Sequence, residues 1–91
     1  MADREWHFYI VRCSDGSLYS GIALNAERRV KAHNKGTGAR YTAGHRPVIL
    51  VYSEPHVSQL QAMKREAQVK RWSRTAKERL IAGDRTMNTG G

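Results

Sequence analysis

Near the start of this 91-residue chain, two short runs of strand-forming residues flank a tight turn, and no other stretch limits the possible folds as much. Trp6 to Cys13 holds Phe8, Tyr9, Ile10 and Val11, types that suit a pleated surface. Ser14-Asp15-Gly16-Ser17 is turn chemistry, and Asp15-Gly16 suits the positive φ angles of a tight hairpin. Strand character resumes over Ser17 to Ile22, so the two runs are expected to pair antiparallel. Asn25 can cap a helix that runs to about Lys35, with Glu27 near its positive end. Ile22, Ala26 and Val30 follow a helical repeat toward the core, and Gly36 ends the helix. Arg29 and His33 stand at i, i+4 on one helix face, where they can converge with Tyr9 and Tyr19.

Residues 36–47 contain three glycines and a proline and are expected to form a loop without regular structure. Arg40, His45 and Arg46 make it basic. With Tyr41 it can follow a phosphate backbone and stack on a base, or its charges can simply be solvated. Val48 to Tyr52 is the most apolar run and reads as a buried central strand. Ser58 and Gln61 fit a capping box for a helix reaching about Trp72. Around that helix Leu60, Ala62, Met63, Ala67 and Val69 cover about half the circumference, with Glu66 near the middle of the arc. A carboxylate facing a core is costly unless it is paired or binds a cation. Glu66 can therefore pair with Lys70 at i, i+4, or act as a metal ligand at a cleft edge. Ser73 or Thr75 can cap a last helix, Arg74 to Ala82, which Gly83 stops. Residues 1–82 are expected to form one domain and 83–91 a disordered tail.

Sixteen Lys and Arg stand against eight acids, a net charge of +8 that points to a polyanionic partner, nucleic acid above all. The charge is spread through helices and loops, which suits a folded binding surface. Arg28, Lys35, Arg40, Tyr41, Thr42, Arg46 and Lys70 are the candidate contacts. A lone cysteine, Cys13, excludes an internal disulfide and a cysteine-built metal cage. The apolar runs are too short for a transmembrane helix, and the N-terminus lacks a signal-peptide pattern, so the expected compartment is the cytoplasm.

The chain has no nucleophile elbow, phosphate-binding glycine loop or zinc-ligand pair at usual spacing. Two strand tyrosines, an Arg and a His on one helix face, and one awkward glutamate remain. As a set they match what phosphodiester hydrolysis needs: a base for water, a cation for the charged phosphate, and a carboxylate for a divalent ion. Tyrosine is a poor base at its free pKa and becomes plausible only beside an arginine or a metal-bound water.

His7-Phe8-Tyr9, Tyr19-Ser20-Gly21, Arg29 ten positions after Tyr19, His33 one turn later and Glu66 on a later helix carry a resemblance. The set resembles the GIY-YIG nuclease superfamily, and the wider pattern over residues 6–82 resembles its small single-domain bacterial branch. The resemblance implies an α+β fold, a three-stranded antiparallel sheet flanked by three helices in the order β-β-α-β-α-α, the same order read above. It also implies one Mg²⁺ or Mn²⁺ on Glu66, Arg29 on the scissile phosphate, Tyr9 or Tyr19 as base or water-orienting group, and His33 assisting proton transfer. There are departures. His7 and Phe8 replace the first motif's glycine and isoleucine, Ala23 stands where many members have threonine, and Asn88 is a poor match for the C-terminal asparagine of larger members. A separate DNA-binding domain cannot be placed either. The implied activity is a metal-dependent endonuclease, on DNA more than RNA, without strong sequence specificity, acting on structured, nicked or single-stranded substrate. The alternatives are a non-catalytic nucleic-acid-binding module, or a nuclease subunit that needs a protein partner.

Overall fold

Strand β1 (Trp6–Arg12) is the middle of a three-stranded antiparallel sheet in the order β2-β1-β3. The structure, a computed structural model, describes residues 5–37 and 40–83, except for the side chains of Arg40 and Tyr41. Phe8, Tyr9, Ile10 and Val11 are each at most 1% exposed, so β1 is covered on both faces. Tyr9, Val11, Cys13, Ala26 and Val48 form one core cluster, and Phe8, Ile10, Val69 and Leu80 form the other. Strand β2 (Leu18–Ala23) pairs with β1 so that Tyr9 faces Gly21 and Val11 faces Tyr19. The connecting turn is one residue longer than a two-residue hairpin. Gly16 N–H donates to Cys13 O at 2.9 Å, Cys13 N–H donates to Ser17 O at 2.8 Å, and only Gly16 has positive φ, at 86°.

Helix α1 (Ala26–Asn34) is capped by Asn25, whose side chain accepts from Arg28 N–H at 2.9 Å. The expected loop over residues 36–47 contains a single helical turn, α2 (Arg40–Ala43). Gly36 and Gly44 flank that turn rather than interrupt it. Apart from this turn, the three longer helices and three strands keep the expected β-β-α-β-α-α order.

Strand β3 (Ile49–His56) corrects a second expectation: the apolar run lies in an edge strand, not the central one. Ile49 is 64% exposed, and the strand continues through Pro55, whose missing N–H is tolerated only where a strand edge faces outward. The β1–β3 register slips between Ile10 and Val11, a bulge that skips Val51.

Helix α3 (Gln59–Lys70) begins at Ser58, whose Oγ accepts from Gln61 N–H at 3.2 Å. It buries Ala62 and Val69, whereas Leu60 and Met63 are 60% and 48% exposed, so only one flank of the expected apolar arc is covered. Helix α4 (Arg74–Ala82) is capped by Ser73, not Thr75, and ends at Gly83 with φ 80°. The remainder of the expected tail lies outside the described residues. Among the described residues no helix is long and apolar enough to cross a membrane.

On the α3 side of β3, Tyr52, Glu54 and His56 alternate along the strand and meet Arg65. Glu54 accepts from Tyr52 Oη at 2.5 Å and from Arg65 Nε at 2.9 Å, and lies 2.6 Å from His56 Nε2.

Candidate active site

Gly21 lets Tyr9 lie across the neighbouring strand. A Cβ at position 21 would stand 2.5 Å from Tyr9 Oη and 2.7 Å from its Cζ, so any larger residue collides with the ring. The second motif's glycine therefore makes room for the first motif's tyrosine. Tyr9 Oη then meets Nε2 of His33 at 3.0 Å, with His33 presented by the buried side of α1. The His33 ring lies between two tyrosines, with centroids 6.0 Å from Tyr9 and 5.5 Å from Tyr19, the latter edge-on. Its other nitrogen, Nδ1, is 2.6 Å from Thr42 Oγ1 on α2.

Electrostatics join the remaining members to this pair. Burial pushes the Tyr9 phenol above its ordinary 10.0; Arg29, polar and positively charged beside it, opposes the rise, and Tyr19 and Glu66 add to it. Burial and then the Arg29 charge hold His33 below its ordinary 6.5. His33 is thus a neutral imidazole at neutral pH, able to accept a proton at one nitrogen. Of the five expected catalytic residues, Tyr9, Tyr19 and His33 are in contact, Arg29 acts on both Tyr9 and His33, and Glu66 acts on Tyr9 through its charge; Tyr9 and His33 are covered, and Tyr19, Arg29 and Glu66 are partly exposed. Of the two expected readings of Glu66, the structure shows the ion pair: Lys70 Nζ is 3.2 Å from its carboxylate. The two side chains are 57% (Lys70) and 23% (Glu66) exposed. Among the described residues, no three His, Cys, Asp or Glu side chains gather into a ready-made metal cage.

The expected nucleic-acid contacts separate. Arg28, Lys35 and Lys70 are exposed. Arg46 is exposed too, but its guanidinium folds back, Nε donating to Ala43 O at 2.9 Å and Nη1 to Asn34 O at 3.4 Å. The side chains of Arg40 and Tyr41 lie outside the described residues. Thr42 is a correction: it is fully buried, so it cannot touch a nucleic acid and instead belongs to the His33 pair. No local pattern announces that role, because Thr42 lies nine residues after His33 in a stretch that reads as loop.

Comparison with known proteins gives the same set a wider setting. Residues 5–79 match the family model described as the GIY-YIG catalytic domain. A UPF0213 protein of Staphylococcus aureus is 53% identical over 76 residues, which cover 82% of this chain and 93% of that one. The solution NMR structure of a UPF0213 protein from Bacillus halodurans is 40% identical. It superposes with a TM-score of 0.57 over 88% of this chain and 85% of its own. A second NMR structure, from E. faecalis, is 38% identical with a TM-score of 0.58, covering 87% of this chain and 84% of its own.

Proposed function

The chain belongs to the GIY-YIG family, and from that premise we propose that it is an endonuclease hydrolysing phosphodiester bonds in DNA with the help of one divalent ion. The observation that carries the reading is the buried hydrogen bond between Tyr9 and His33, with Arg29 beside the phenol and Glu66 within electrostatic reach. A merely structural core has little use for this grouping, since each polar member costs desolvation that an apolar pair would avoid.

In this reading Arg29 binds the scissile phosphate and neutralises its oxygens as charge builds. Tyr19, on the partly exposed side, orients the attacking water. Tyr9 holds a proton shared with neutral His33, which can take it when the phenol oxygen must turn basic. Glu66 is the side chain that would hold Mg²⁺ or Mn²⁺. One partly exposed carboxylate suits an ion that keeps most of its waters and completes its shell with substrate phosphate, and Lys70 is exposed enough to swing aside. When bound, the ion would supply charge stabilisation at the leaving oxygen. The +8 net charge supports phosphate-driven, strongly salt-dependent binding of nucleic acid. In this reading the substrate is DNA rather than RNA and the setting is the cytoplasm.

The test is cleavage of supercoiled plasmid, single-stranded DNA and a branched junction, in Mg²⁺, in Mn²⁺ and in chelator. The expected result is nicking that needs the metal and vanishes in Glu66→Ala. Tight, salt-sensitive binding with no cleavage by the wild-type chain, alone or with added cell extract, would turn the reading to a non-catalytic binding module.

A further inference from the structure

We propose that Thr42 is a positioning residue that holds the proton of neutral His33 on Nδ1. Its hydroxyl accepts from Nδ1–H and leaves the Nε2 lone pair facing the Tyr9 hydroxyl. The inference rests on the nuclease reading for its catalytic meaning but not for its geometry.

His33 is fully buried, and both its ring nitrogens sit at hydrogen-bond distance from a hydroxyl: Nε2 to Tyr9 Oη at 3.0 Å and Nδ1 to Thr42 Oγ1 at 2.6 Å. A neutral imidazole donates from one nitrogen and accepts at the other, so these two contacts must run in opposite senses. Burial and Arg29 keep the ring neutral. Two arrangements are then possible, and the buried Tyr9 hydroxyl favours one of them. Among the described residues, the acceptor within hydrogen-bond reach of its O–H is His33 Nε2. If Nε2–H donated instead, the phenol's own hydrogen would be left over, because a protonated Nε2 cannot accept it. Tyr9 is 1% exposed, so water does not reach that hydrogen freely, and a buried unmade O–H bond is disfavoured. In the other arrangement both contacts are satisfied: Tyr9 O–H donates to Nε2, and Nδ1–H donates to Thr42 Oγ1.

The consequence is specific. Proton transfer from Tyr9 Oη to His33 Nε2 breaks the phenol O–H bond and makes an imidazolium. Its two N–H groups then point at Tyr9 and Thr42, and the phenolate stays beside Arg29. The opposite tautomer has no lone pair at Nε2 and blocks that step. Thr42 acts through His33 and touches no substrate.

The tautomer can be read directly by long-range ¹⁵N–¹H correlation NMR on the uniformly labelled full chain at pH 8, with the His33 signals assigned by their loss in His33→Gln. The expected wild-type pattern is a protonated Nδ1 and an unprotonated Nε2. Thr42→Val should move His33 toward the Nε2–H form and slow cleavage about tenfold or more at unchanged DNA affinity. Thr42→Ser, which keeps the hydroxyl, should retain both the wild-type tautomer and the wild-type rate. A protonated Nε2 in the wild-type chain overturns the inference, as does a Val variant with the wild-type tautomer or a Ser variant that behaves like Val. If Thr42→Val fails to fold, the wild-type and Ser spectra still decide. If the tautomer shifts as expected but no variant cleaves DNA, the nuclease reading falls while the assignment of Thr42 stands.

Discussion

The two faces of the sheet carry polar clusters built from nearly the same parts. On the α1 side stand Tyr9, His33 and Arg29, with Glu66 of α3 reaching Tyr9 by its charge; on the α3 side stand Tyr52, His56, Arg65 and Glu54. The carboxylate's position separates them. Glu54 takes its partners directly, accepting from Tyr52 and Arg65 and lying 2.6 Å from His56. Burial alone would raise its carboxyl, but those hydrogen bonds and the Arg65 charge hold it below its ordinary 4.5, and Tyr52 is pushed up to about 12. Every strong group there is quenched by another. In the other cluster Glu66 acts on Tyr9 only through its charge, and the phenol instead meets a neutral imidazole. The same residue types make a lock when the carboxylate sits in the middle and, in the proposed function, a proton-handling site when it stands aside.

The sharpest way to break this contrast is to remove one member from each face. Arg29→Ala should lower the single-turnover cleavage rate by about a hundredfold or more, while the urea midpoint moves little, because Arg29 is needed where charge develops. Glu54→Ala should do the reverse. It strands Arg65 and Glu54's other partners in a half-buried setting, at a cost of about 3 kcal/mol in urea unfolding, with the specific activity of the folded fraction preserved. If Arg29→Ala destabilises as much as Glu54→Ala, the two faces are not different in kind.

Gly21→Ala is a smaller perturbation and tests how the site is built. The added methyl must displace the Tyr9 ring, costing about 1–3 kcal/mol and disturbing the His33 contact. The expected readout is a changed His33 ring spectrum together with lost cleavage.

The smallest effect is in the pH dependence of stability, and it separates the clusters by window. His33 has its pKa lowered by folding, so the unfolded chain binds more protons just below pH 6.5. Stability is full above that value and is lost as pH falls through the folded pKa. Glu54 is likewise lowered by folding, so its contribution is full above pH 4.5 and is lost as pH falls further. Chemical denaturation from pH 8 to 3 should show both slopes, with His33→Gln removing the upper and Glu54→Gln the lower.

The hairpin, the α1 cap and the i, i+4 placement of Arg29 and His33 were legible because each rests on local chemistry. Glu66 was legible as an anomaly, a charge inside an apolar arc. What escaped depends on long-range packing. Apolar periodicity marked an arc of α3 but could not tell which flank is covered, so Leu60 and Met63 turned outward. The apolar run in β3 and that in β1 look alike in sequence, and only pairing on both sides makes β1 the central strand. Tyr52, Glu54 and His56 did carry a signal, a period of two along a strand, but their partner Arg65 arrives from a separate helix. Thr42 had none, because a single turn between glycines acquires its position only from the ring it supports.

The most direct test of the central claim is the cleavage rate and the affinity of Glu66→Ala, measured on the same labelled branched DNA in Mg²⁺ at fixed salt. The account predicts that cleavage collapses while affinity stays within a few-fold of wild type, because Glu66 serves the chemistry and the dispersed basic side chains serve binding. Cleavage undiminished in Glu66→Ala would contradict it.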